Sequence, residues 1–160
     1  STQGYSSAAS DVYKRQSGDS PSVKLLTNGI RGSLKYSDSE WCTWNDNDSV
    51  SFKIDLLKPE TLNTLTLGCI TNNGMAIHKP SSVKVEVSDD NSSFCEAAMR
   101  SFTPEEIFRE GNFIENLPLK LRGTQARYVR VTAKGPGVCP ASHVRPGQVS
   151  RILFDEMILE

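Results

Sequence analysis

Short runs of apolar and polar residues in strict alternation recur along this chain between turn signals, which restricts it to folds built from strands. In Ser82–Ser88, SVKVEVS, the residues Val83, Val85 and Val87 share one face and Lys84 and Glu86 the other. Val50, Phe52, Ile54 and Leu56 alternate with Ser51, Lys53 and Asp55 until Lys58-Pro59 interrupts them. Leu65, Leu67 and Cys69 continue the pattern up to Asn72-Asn73-Gly74, and Val129, Val131 and Ala133 repeat it late in the chain. The closing run, ILFDEMILE, puts Ile152, Phe154 and Ile158 on one face. Weaker runs at 25–30, 94–102 and 114–121 complete the expectation of an all-β sandwich or barrel. A helix is signalled only at Thr103-Pro104-Glu105-Glu106, a capping box with proline at its first position, stopped by Gly111 after two turns at most.

At 160 residues the chain is long enough for one domain with a packed core. Residues 1–22 are serine-rich and aperiodic, so they read as a flexible tail or expression remnant, and 23–160 as the folded domain. A formal net charge of -1 creates no field that would gather nucleic acid or anionic lipid. No stretch approaches the roughly 20 apolar residues of a spanning helix, and the N-terminus lacks a signal-peptide pattern. The expectation is a soluble piece, excised from a longer precursor. Residues 135–148, GPGVCPASHVRPGQ, form a long loop whose prolines fix φ angles in advance, as a binding loop benefits from.

Catalysis finds little support. Asp89-Asp90 lies in a turn and Glu105-Glu106 opens the capped helix, so neither acid pair is expected to face a partner across a cleft. No Gly-x-Ser-x-Gly elbow is present. Cys139 and His143, with Cys42 or His78, have zinc-ligand chemistry, but a structural site usually pairs its ligands on each arm and only one arm exists, so zinc is not expected. Of the four cysteines, Cys69 reads as a core residue, while Cys42 and Cys139 sit in loops where a bridge is conceivable in an oxidising compartment.

In order, LTNGIRGS at 26–33, WCTW at 41–44, FKIDL at 52–56, IHKPSSVKVEVSDDNSSF at 77–94, ARYVRV at 126–131 and FDEMIL at 154–159 resemble the discoidin or coagulation-factor type C domain, a galactose-binding-like fold. ARYVRVTAKGPGVCPASH followed by LFDEMI is most similar to the C-terminal accessory module of bacterial chitobiase or β-hexosaminidase chains. The resemblance implies a jelly-roll β-sandwich of about eight strands that binds carbohydrate without catalysis, beside the catalytic domain of a bacterial glycoside hydrolase. It further implies a monomer in an extracellular, periplasmic or cell-surface location. Cys42 stands where galactose-binding relatives place a histidine, and asparagine where they place an arginine, so the galactose site is not reproduced.

Sugars are held by aromatic faces and by side chains with several donors and acceptors, so the candidate carbohydrate residues are Trp44, Asn72, Asn73, His143 and Arg145. Trp44 opens the polar run WNDND and is read as an exposed stacking platform, with core packing as the alternative; Trp41 is placed in or near the core. Asn72 and Asn73 equally suit a tight turn, and Arg145 a solvated loop charge. Glu156 falls on the apolar face of the last run, where an unpaired carboxylate is expensive. The family answers that with a calcium ion, here through Glu156 and Asn28, the latter replacing an aspartate. The competing functions are a protein-interaction or spacer module that has lost its sugar site, and a membrane-binding module inserting Met75-Ala76-Ile77-His78-Lys79.

Overall fold

The computed structural model describes residues 13–14, 26, 29–45 and 49–160. Two antiparallel strands, β3 (Val50–Asn72) and β6 (Asn112–Lys134), each 23 residues long, form the frame. The first part of β3 pairs with the last part of β6, from Val50↔Ala133 to Asp55↔Tyr128, and its last part pairs with the start of β6, from Thr64↔Lys120 to Asn72↔Asn112. Register shifts between Asp55 and Glu60 and between Leu62 and Thr64 separate the two zones. Leu57 (φ 74°), Arg122 (φ 56°) and Gly123 (φ 75°) take left-handed backbone at this crossing, the local twist a bulge imposes. Lys58-Pro59, expected to end a strand, instead sits within the bulge, where the ladder does not need proline's missing N–H.

The remaining strands complete two layers. β4 (Ser82–Ser88) adds to the last part of β6 and carries β5 (Cys95–Ser101) on its outer edge. β1 (Tyr13–Lys14) pairs with Lys53 and Phe52 on the opposite side of that layer. β7 (Ile152–Leu159) adds to the last part of β3, and β2 (Cys42–Trp44) pairs with β7. The order β2-β7-β3-β6-β4-β5 runs unbroken through both layers, giving a jelly-roll β-sandwich with seven strands among the described residues, because bulges fuse runs that the sequence presents as separate. Apart from β1, the expected tail lies outside the described residues.

The core lies between the layers. Phe52, Ile54, Leu65, Leu67, Val83, Val85, Leu117, Val129, Val131 and Phe154 belong to one buried cluster, matching the alternation read from β3, β4 and β6. Each such side chain contributes about 1.5–3 kcal/mol of burial. In β7 the alternation breaks: Leu67 pairs with Met157 and Cys69 with Phe154, so Asp155 and Glu156 together oppose Gly68. Beyond this bulge Met157 and Leu159 join the core, and Ile158, expected inside, is only half-buried.

Local signals hold where side chains satisfy backbone. Helix α1 (Pro104–Ile107) carries the capping box, with Glu106 N–H donating to Thr103 Oγ1 at 3.2 Å and Thr103 N–H to Glu106 Oε1 at 3.0 Å. In the β4–β5 turn, Asp90 accepts from the amides of Ser92 and Ser93, which with Ser88 lower its carboxyl to about 2. Both acid pairs singled out in the sequence therefore include a carboxylate engaged in local structure.

Candidate functional site

One end of the sandwich gathers three connections: residues 31–41, the turn after β3, and the long excursion between β6 and β7. β3 finishes at Asn72, whose backbone exchanges hydrogen bonds with Ile77 at 2.9 and 3.0 Å across a 3₁₀ turn, Asn73–Met75. Ala76, at φ 54°, reverses the chain. Asn73 is tied to the segment after α1, its Oδ1 accepting from Gly111 N–H at 3.0 Å and its own N–H donating to the Gly111 carbonyl at 3.2 Å.

Two arginines clasp this turn. Arg145 Nε donates to the Gly74 carbonyl, and its Nη1 reaches Gln148 Oε1 at 3.4 Å. Arg151 Nη2 donates to the Met75 carbonyl at 3.2 Å while its guanidinium lies 5.6 Å over the ring of Tyr36. Tyr36 and Met75, both half-buried, rest on a second apolar cluster of Trp41, Ile70, Ile77 and Leu153. Trp41 fixes the 31–41 loop by donating Nε1–H to the Ser33 carbonyl at 2.9 Å, so its expected place near the core holds. Asn72, Asn73 and Arg145 thus meet at one rim. Tyr36 and Arg151 join them unannounced, because neither lies in an alternating run or a recognisable motif; only a lone tyrosine in a polar loop marked the place.

Trp44 is not there. It is 3% exposed, its ring 5.6 Å from Phe154 and tilted by 56°, inside the main core. The exposed platform is corrected to a core residue, and the reason is local: Cys42-Thr43-Trp44 alternates as β2, with positions 42 and 44 inward, and the polar run begins only at Asn45. Cys42 likewise lies in that strand rather than in a loop, and no disulfide joins any of the four cysteines. The proposed membrane spike is also overturned, since Ala76, Ile77, His78 and Lys79 are all buried. Ile77 belongs to the second cluster, and Lys79 Nζ pairs with Glu115 at 2.8 Å.

His143 turns inward from the rim. Its Nε2 lies 2.9 Å from Nε2 of fully buried His78, and its Nδ1 accepts the Arg145 N–H at 2.9 Å. Phe108 sets its edge against both imidazoles, with centroids 5.0 Å from His78 and 6.2 Å from His143. Burial, then the neighbouring His143, pushes His78 down to about 4. Cys139, 3% exposed, completes the group: one ligand atom from each of His78, Cys139 and His143 lies within 4.8 Å of the others. The juxtaposition that sequence spacing argued against exists, because His78 comes from the connection after β3, far away in sequence but at the same end of the sandwich.

At the β7 bulge, Asp155 Oδ2 accepts from Arg31 Nε at 2.8 Å and Gly32 N–H at 2.9 Å. Glu156 is 2% exposed, and neither of its carboxylate oxygens has a hydrogen-bond partner among the described residues; Asp155 Oδ1 shares that state. Burial raises the Glu156 carboxyl to about 7, against the pull of the Gly29 and Met157 amides. Asn28, the other residue assigned to a calcium site, lies outside the described residues.

The family described as F5/8 type C domain matches residues 6–145. No curated protein matches the chain. Among solved structures, the C-terminal domain of a chitobiase from Bacteroides fragilis is 15% identical with a TM-score of 0.58, over 96% of this chain and 95% of that one. CBM32-3 from a family 31 glycoside hydrolase of Clostridium perfringens is 17% identical with a TM-score of 0.61, over 96% and 91%. CpGH89CBM32-5 from Clostridium perfringens, in complex with GalNAc-β-1,3-galactose, is 14% identical with a TM-score of 0.55, over 92% and 94%. Identities this low speak to the sandwich alone. The family match reaches across both layers as far as the clasping Arg145, and on that extent the chain belongs to the F5/8 type C, or discoidin-like, domain family.

Proposed function

We propose that this domain is a non-catalytic carbohydrate-binding module of a secreted or surface-attached bacterial glycoside hydrolase, raising the local concentration of its catalytic domain at a glycan. The carrying observation is the rim at which Tyr36, Arg145 and Arg151 surround the Asn72–Met75 turn, an aromatic ring beside multiply donating side chains. Galactose- and N-acetylhexosamine-containing glycans are the ligand class to try first, given the chitobiase and GalNAc-β-1,3-galactose relatives. A shallow rim with one aromatic ring supports millimolar to high-micromolar affinity, about 4–6 kcal/mol. NMR titration with these sugars and their oligomers is expected to shift resonances around Tyr36 and Arg145, and Tyr36→Ala to remove the shifts. Shifts elsewhere, or none, count against the reading.

A spacer or protein-interaction module is the second reading, favoured by one observation: Asn73, Arg145 and Arg151 are already engaged with backbone atoms of the same loops. Retention on a protein or cell-wall partner, with silence across a glycan array, selects it.

We also infer a structural calcium ion beside Glu156. Two buried carboxylate oxygens without partners fit a hard cation that accepts oxygen ligands, and the charge of such an ion offsets an otherwise costly burial. Added calcium is expected to raise the melting temperature and EDTA to lower it, with Glu156→Gln abolishing the difference. Equal melting curves for the wild type in calcium and in EDTA would remove the ion.

A further inference from the structure

We propose that His78, Cys139 and His143 form a zinc-binding site separate from the sugar rim and from the Glu156 region. Two imidazoles and a thiol are borderline-soft donors, with no carboxylate among them, so they select zinc over calcium or magnesium. Three protein ligands leave a fourth position, which solvent fills through the half-exposed side of His143.

The fold explains how the ligands meet. Residues 138–149 leave and rejoin the sandwich at the Val138↔Val149 bridge, closed by Cys139 N–H to the Gln148 carbonyl at 2.8 Å and Gly147 N–H to the Cys139 carbonyl at 2.9 Å. A turn within this excursion, His143 N–H to the Pro140 carbonyl at 2.9 Å, brings Cys139 and His143 to the same side. His78 is held opposite them by its N–H donating to the Arg151 carbonyl at 3.1 Å. Phe108 shields the pair from one side, which strengthens metal–ligand electrostatics.

The metal-free state has the hydrogen-bonding pattern of a protonated placeholder. Because His143 Nδ1 accepts the Arg145 N–H, its proton resides on Nε2 and is donated to His78 Nε2. His78 Nδ1, fully buried, has no hydrogen-bond partner among the described residues. Two nitrogens on one tetrahedral zinc stand about 3.3 Å apart, given bonds of about 2.0–2.1 Å. The observed 2.9 Å therefore requires a small opening, which falls to the half-exposed His143. On binding, the Cys139 thiol proton passes to solvent and the His143 proton moves from Nε2 to Nδ1, giving up the Arg145 amide contact. That exchange limits affinity and couples the ion to the loop that carries Arg145.

The test uses untagged, reduced protein dialysed against cobalt(II) chloride and then zinc sulfate. One equivalent of cobalt is expected to bind with a thiolate-to-cobalt charge-transfer band and the strong d–d absorption of a tetrahedral site, both displaced by zinc. Cys139→Ser should lose the charge-transfer band, and His143→Ala, on a surface loop, should weaken zinc at least about tenfold. Cys95→Ser, which removes the exposed thiol, should leave the spectrum intact. Failure of the wild type to bind, cobalt binding without a thiolate band, a band that survives Cys139→Ser, or zinc affinity unchanged in His143→Ala would each overturn the site.

Discussion

Trp44→Ala is expected to destabilise the domain by about 3–5 kcal/mol, because it deletes a large buried ring and leaves a cavity beside Phe154 that flanking strands cannot close. Thermal and urea unfolding should both show it, the urea midpoint falling with an unchanged slope. Trp44→Phe should recover much of the loss, since it refills most of the volume. Sugar binding supplies the contrast: under conditions where the variant stays folded, its affinity should match the wild type. A variant that unfolds like the wild type yet fails to bind sugar would restore Trp44 to the surface.

Gly68→Ala is expected to cost about 1–3 kcal/mol despite its size, since the new Cβ would land inside contact distance of Asp155 Oδ1 and Arg31 Nη2. Asp155 has no room to retreat, being fully buried and bonded to Arg31 and Gly32. Asp155→Ala alone should cost about 2–4 kcal/mol by stripping the partner from Arg31 and the acceptor from the Gly32 amide. The two substitutions should be less than additive, because removing the Asp155 carboxylate removes the nearest atom with which the added methyl group collides and releases the Arg31 side chain from its hydrogen bond to move aside. A double variant as unstable as the sum of the singles would show that the bulge relaxes and that Gly68 is not spaced for that carboxylate. Measuring the set both with calcium and with EDTA separates the clash from any effect on an ion at Glu156.

The sandwich was legible because its strands alternate cleanly. Val50 to Leu56, Val83 to Val87 and Val129 to Ala133 have a period of two that only a half-buried sheet satisfies, and the capping box at Thr103 is a local contract between side chain and backbone. What alternation cannot show is where it slips. The bulge at Asp155-Glu156 shifts Met157 and Leu159 inward and Ile158 outward, and the room for it comes from Gly68 on another strand. The fusion of two runs across Lys58-Pro59 likewise depends on left-handed backbone at Leu57, which no propensity for leucine announces.

The grouping of loop residues at the rim was partly legible. Asn72, Asn73 and Arg145 were singled out because turns and proline-rich loops declare themselves by composition, whereas Tyr36 arrives by packing on the Trp41 and Ile77 cluster and Arg151 by its bridge to Ile77. Trp44 was misplaced because the polarity of the following residues was weighed above the alternation of the preceding ones. His78 was named beside Cys139 and His143 but discounted with them, because metal-ligand spacing along a chain says nothing about a partner delivered by a connection distant in sequence.

The passage of β3 and β6 through both layers also governs how the chain acquires its fold. Val50 pairs with Ala133 and Asn72 with Asn112, so the frame forms only after long stretches of chain have been brought together against their entropy. Such non-local pairing belongs to the millisecond-to-second regime of folding rather than the microsecond one. The two layers share the strands β3 and β6 and one buried cluster, so opening either layer exposes the core that the other also packs against. Opening of the sandwich is therefore a global event, and amide protons in the two halves of β3 should exchange with solvent at a common free energy, leaving the rim loops as the parts that fluctuate on their own.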